Sequence, residues 1–150
     1  MGFFDGYNVA TSGMSAQRSR INIVSSNIAN AQTTHSSDGG PYKKQNVVFE
    51  EILLNATNND KKETSDEALD LLSLRGVGVR EIIDSKDQPI LKYEPEHPDA
   101  NNEGYVAYPN INPVIEMVDL IEAMRSYEAN VSAFKTQKDM DTKTLDIIKM

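Results

Sequence analysis

The sequence predicts an α+β fold: long N- and C-terminal helices paired as a coiled coil, with a small antiparallel β-rich region between them. Three observations predict it. Apolar residues recur at steps of three and four over residues 7–31 and again over 117–148. Between them, β-branched residues alternate or cluster in short runs bounded by turn-forming residues. Neither helical stripe is matched by enough apolar surface in the middle to cover it, but the two stripes match each other. The chain divides into an N-terminal helix segment at 1–34, a β-rich middle at 35–111 with a polar loop at 55–67, and a C-terminal helix segment at 112–150.

The N-terminal helix is read from Tyr7. Tyr7, Met14, Ile21 and Ile28 occupy one heptad position, and Ala10, Gln17, Val24 and Ala31 the other. That is a coiled-coil seam of about four heptads. Its flanks (Thr11, Ser12, Ser15, Ser19, Ser25 and Ser26) are small and polar, with Arg18 and Arg20 the only charges. A solvated helix face carries Glu and Lys; small uncharged flanks suit close packing against further helices. Asn27 and Asn30 then sit three apart on one face, followed by Thr33. Asparagine near a helix end either stops the helix by capping its carbonyls or bonds to a partner helix, and the spacing allows both.

Ser36-Ser37-Asp38-Gly39-Gly40-Pro41 is a loop. Residues 42–49 read as strand, and 50–54 are left unassigned. Residues 55–67 carry little apolar content and read as loop or disorder. Thr64 and Glu67 form a capping box for a short helix through Leu72. Three strand signals follow: Gly76 to Ile83, Ile90 to Tyr93 and Tyr105 to Tyr108. They give a small antiparallel sheet or a pair of β-hairpins, with a rigid polar loop from Glu94 to Gly104.

Asn112-Pro113 opens the last helix, asparagine as cap and proline in the first turn, with Glu116 and Asp119 at the favourable end of the dipole. Its stripe runs Met117, Leu120, Met124, Tyr127, Val131, Phe134, Lys138, Asp141, Leu145, Ile148, interrupted once, at Lys138 and Asp141. Val114, Val118 and Ile121 add a second stripe early in the helix, facing a further partner. Each large side chain buried in such a seam contributes roughly 1.5–3 kcal/mol, against the cost of ordering two long segments. With Ala, Gln, Lys and Asp at seam positions, the pair is marginal alone and expected to order in an assembly.

The 150 residues suffice for one compact domain. A net charge of −8 disfavours nucleic acid and anionic lipid as partners. There is no cysteine, so disulfides and thiolate metal sites are excluded. No apolar run approaches the roughly 18 residues of a spanning helix, and the start shows no cleaved secretory signal. Nucleotide, nucleophile-elbow, zinc-protease and EF-hand motifs are missing. Gly76-x-Gly78 lacks the third glycine of a dinucleotide fingerprint. His35 and His97 both fall in predicted loops; His97-Pro98-Asp99 lies between strands in an acidic loop, where it shapes a turn. No catalytic, metal or cofactor-binding residue is expected. The reading from residues alone is a self-assembling structural subunit, with a helical-hairpin adaptor or binding module of a secretion apparatus as the alternative.

Two regions carry a family likeness. Ser25-Ser26-Asn27-Ile28-Ala29-Asn30-Ala31-Gln32-Thr33-Thr34 resembles the Ala-Asn-x-x-Thr signature of bacterial flagellar rod, hook and hook-associated axial proteins. The segments from His97 to Asn112 and from Glu116 to Asn130 are similar to proximal rod subunits of the FlgC type in particular. The likeness spans both ends and the region from Gly76 onward, and is weak over 50–75. It implies a non-enzymatic subunit whose terminal helices pair and stack into the wall of a hollow rod in the basal body, spanning the periplasm. Such a rod is a drive shaft that transmits torque and passes exported subunits. It implies export by the flagellar type III apparatus without a cleaved signal. The implied partners are copies of itself, other rod subunits and the adaptor joining rod to membrane ring. Seam residues would hold the in-chain pair, while Asn27, Asn30, Thr33, Glu128 and Asn130 would contact neighbouring subunits.

Overall fold

The structure, a computed structural model, describes residues 5–36, 39–54 and 74–148. Helix α1 spans Asp5–Ala29 and helix α2 spans Pro113–Ile148. Between them run strands β1 (Gln45–Leu53), β2 (Arg75–Asp84), β3 (Ile90–Tyr93) and β4 (Tyr105–Tyr108). The predicted loop at 55–67 and the short helix opened by Thr64 lie outside the described residues.

α1 and α2 pack side by side in opposite directions, Gly6 near Gln137 at one end and Asn27 against Glu116 at the other. At 1.5 Å per residue α1 is roughly 38 Å long and α2 roughly 54 Å, so α2 outruns its partner. α2 starts as its sequence dictates. The Asn112 side chain accepts from the Val114 N–H at 3.0 Å, and the Asn112 carbonyl accepts from Glu116 N–H at 3.1 Å. Proline next to the cap has no N–H to leave unsatisfied.

β1 and β2 form an antiparallel pair from Gln45↔Asp84 to Leu53↔Arg75, with a register shift after Val48. The unassigned stretch is therefore strand through Leu53. Facing Val48 and Phe49 are Glu81 and Val79, so Arg80 is the extra residue of a β-bulge, which increases local twist. β3 and β4 form a second, separate antiparallel pair from Ile90↔Tyr108 to Tyr93↔Tyr105. Of the two predicted arrangements the chain adopts paired strands rather than one sheet.

The longer pair lies along α1. At one end, the Ser12 hydroxyl accepts from Val77 N–H at 3.3 Å while donating to its own helix at Val9 O. Gly76 makes this approach possible: a Cβ there would stand 2.7 Å from Ser12 Oγ and 2.8 Å from a Leu54 methyl. At the other end the backbone of Gln45 meets Asn27. The shorter pair closes over fully buried Val106. Tyr93 and Tyr105 rings meet edge to face at 5.3 Å, and Lys92 Nζ sits 4.3 Å over the Tyr108 ring. The 94–104 loop is tied down by Glu94 N–H to Gly104 O, with Gly104 at φ 82°, and by Asn101 Oδ1 accepting from Tyr105 N–H. His97 Nδ1 accepts from Asp99 N–H, and Asp99 accepts from Thr34, so the His97-Pro98-Asp99 triplet is a turn anchored to the segment that follows α1.

Candidate functional site

Where the two helices meet, the residues between them are mostly small or polar. α1 turns Ala10, Gly13, Ala16, Val24 and Asn27 inward; α2 buries Glu116 and Ala123. Gly6, Gly13 and Asn27 are spaced by multiples of seven and meet Gln137, Asn130 and Glu116, spaced the same way. A Cβ on Gly13 would lie 2.9–3.0 Å from the Asn130 amide, so glycine lets that side chain lie against the α1 backbone. Arg20 and Asp119 flank this line 3.6 Å apart, half exposed, an ion pair of small energetic weight.

The predicted seam residues differ in burial. Tyr7, Met14, Ile21 and Ile28 are half-buried, and Val24 is buried. Leu120, Tyr127, Val131 and Phe134 are half-buried. Met117 and Met124 are about half exposed on the flank of α2, while Glu116 and Ala123, one residue earlier, are buried. Leu145 and Ile148 fall on the inward side of α2 but past the described start of α1, and Ile148 is 75% exposed.

One end of the pair is a buried polar node. Asn27, 1% exposed, uses its whole amide: Nδ2 donates to Gln45 O at 2.9 Å and to Glu116 Oε2 at 3.0 Å. Its Oδ1 accepts from Gln45 N–H at 2.9 Å and Tyr42 Oη at 3.1 Å. Glu116, also 1% exposed, holds Lys44 Nζ at 2.6 Å through its other oxygen. Three elements meet on one asparagine. Asn27 thus ties α1 to β1 and α2 within the chain, with every hydrogen-bonding position of its side chain occupied. Asn30 takes the other predicted role, a helix stop: its Nδ2 bonds back to Ser26 O at 2.9 Å and its Oδ1 accepts from Thr33 at 3.1 Å. Thr33 thereby belongs to the stop as well. Asn130 faces Gly13, while Glu128 lies exposed on the outer side.

The far end is closed by Tyr7. Its ring meets Phe134 edge-on at 4.9 Å and its hydroxyl donates to Asp141 Oδ2 at 2.6 Å. Asp141, which breaks the apolar stripe, is the acceptor the phenol needs. The hydrogen bond to Asp141, then desolvation, then the charges of Asp141 and Asp139 push the Tyr7 phenol up to about 12. A phenol that keeps its proton better when folded stabilises the fold fully below its ordinary value of 10.0 and progressively less as pH climbs toward about 12. Tyr7→Phe is therefore expected to flatten the fall of melting temperature over that interval. Equal slopes in melting curves of the two proteins would contradict the contact.

Sequence reasoning missed Glu116 as a buried group, reading it only as a dipole partner, and missed Lys44, Tyr42, Gly6 and Gly13. The signal was available for the glycines, which sit seven apart within a helical period. No such signal marks Lys44 or Tyr42, because their role depends on where β1 crosses α1.

The outer side of α2 carries Val114, Met117, Val118, Ile121 and Met124, all about half exposed or more. They form an apolar band over the flank and outer side of α2. Among the described residues no group of three or more His, Asp or Glu could hold a metal ion, and no helix is long and apolar enough to cross a membrane.

Residues 8–34 match the family model for flagella basal body rod proteins, and residues 102–147 match that for the C-terminal region of flagellar basal body rod FlgEFG proteins. Over 99% of both chains, the sequence is 41% identical to the flagellar basal-body rod protein FlgC of Borreliella burgdorferi and 41% identical to that of Aquifex aeolicus. It is 38% identical to the FlgC of Bacillus subtilis over 97% of this chain and 98% of the relative.

Proposed function

The chain belongs to the FlgC family of flagellar basal-body rod proteins, and from that premise we propose how it builds its part of the rod. It is a structural subunit rather than an enzyme, it resides in the flagellar basal body, and it assembles with other rod components. In this reading the α1–α2 pair acts as a coiled coil within each subunit, held by Val24, Leu120, Tyr127 and Phe134 and closed by the polar contacts at its two ends. The outer band from Val114 to Met124, with Glu128 beside it, is the face laid against neighbouring subunits. Met117 and Met124 serve assembly there. Leu145 and Ile148, past the described start of α1, serve it too.

The observation that carries this reading is the exposed apolar band on a chain alike over its whole length to rod subunits. Repetition of one such contact, from a face on one copy to a different face on the next, generates an open helical polymer. A rod spanning the periplasm would transmit torque through this helix packing. Its subunits would reach it through the flagellar type III export apparatus, without a cleaved signal peptide. The adaptor between rod and membrane ring would bind at the rod's base. Charge placed in the band tests the reading: with Val118→Asp and Ile121→Asp in the only copy of the gene, cells should build no rod although the chain folds. Normal rods would refute it.

A further inference from the structure

We infer that the Asn27–Glu116 contact sets the axial register of α2 on α1. The packing stripes alone do not define it. Ala10, Gln17 and Val24 recur every seven residues, as do Leu120, Tyr127 and Phe134, so a slide of one heptad, roughly 10 Å, still lays one stripe on the other. Glycines at 6 and 13 make one of the two slides sterically easy, since in it Asn130 would move from one glycine to the other.

The node resists both slides. Asn27 is oriented by β1: Gln45 N–H and Tyr42 Oη take its oxygen, and Gln45 O takes one of its two amide hydrogens. What it presents to α2 is a single buried N–H, which needs an acceptor at one level of that helix. Glu116 is that acceptor, and Lys44, also from the β1 side, holds its second oxygen. Sliding one way moves Glu116 toward Arg20 and takes it from both partners. Sliding the other way brings Ala123 opposite Asn27 and leaves the amide unpaired. Either slide strands a buried polar group, which disfavours the slipped registers by about a hundredfold.

The natural chain has no cysteine, so engineered pairs report register without interference. Asn130→Cys is combined in the full chain with Gly13→Cys for the observed register, and with Gly6→Cys or Arg20→Cys for the two slipped ones. In the Glu116→Leu background the slipped disulfides are expected to rise about a hundredfold while helix content is kept. Glu116→Gln, which still accepts from Asn27, should show only the Gly13→Cys disulfide. Slipped disulfides no more frequent in folded Glu116→Leu than in the parent would overturn the inference. If Glu116→Leu loses its helices, the same reading is taken in Glu116→Ala. Loss of helix there too would also overturn it, making the carboxylate a condition of folding rather than of register.

Discussion

Val118→Asp with Ile121→Asp is expected to leave the isolated chain folded and to abolish rods. Both side chains are about half exposed on the face of α2 turned away from α1, so their replacement removes no packing within the subunit. Surface changes of this kind shift stability by about 0.5 kcal/mol or less, and melting temperature by about 2 °C or less. In an assembly that covers the band, two carboxylates would be buried without partners in every subunit contact, at several kcal/mol each. A cost of about 3 kcal/mol already weakens a contact more than 100-fold. Electron microscopy of basal bodies and swimming in soft agar read the outcome, with thermal melting of the purified chain as control. A drop in melting temperature matching the loss of rods would point to misfolding.

Asn27→Leu should produce the largest loss of stability of any single change in the helix pair. Leucine fits the space approximately but offers nothing to Gln45 N–H, Gln45 O, Tyr42 Oη or Glu116 Oε2, all of which bond to Asn27. Glu116 keeps only Lys44. Stranding buried polar groups and loosening a buried charge pair costs about 3–5 kcal/mol. For a chain of this size that lowers the melting temperature by roughly 10 °C. Asn30→Ala, which removes bonds only within the helix stop, should cost much less. Equal effects from the two asparagines would mean that the node contributes no more than a cap.

The asparagines also show where sequence reasoning ends. Helices at both ends, the Asn112 cap and all three strand signals from Gly76 onward follow from local period and propensity, and these are legible. The spacing of Asn27 and Asn30 permitted a cap and a bond to a partner helix, and the structure uses one residue for each. Which does which depends on β1 crossing α1 at Asn27, a tertiary fact without a periodic signature. Counting large apolar residues points to Met117 and Met124, which are about half exposed in the chain, whereas Gly13 and Ala123 are buried.

The most direct test of the account is hydrogen exchange along α2, compared between the purified subunit and isolated basal bodies. With the outer band of α2 covered in the rod, amides of residues 114–124 should exchange far more slowly in the assembled particle than in the free subunit. Slowing of a hundredfold or so corresponds to about 3 kcal/mol of added local stability. Unchanged exchange over 114–124, with protection gained elsewhere, would mean that the apolar band of α2 is not the face that builds the rod.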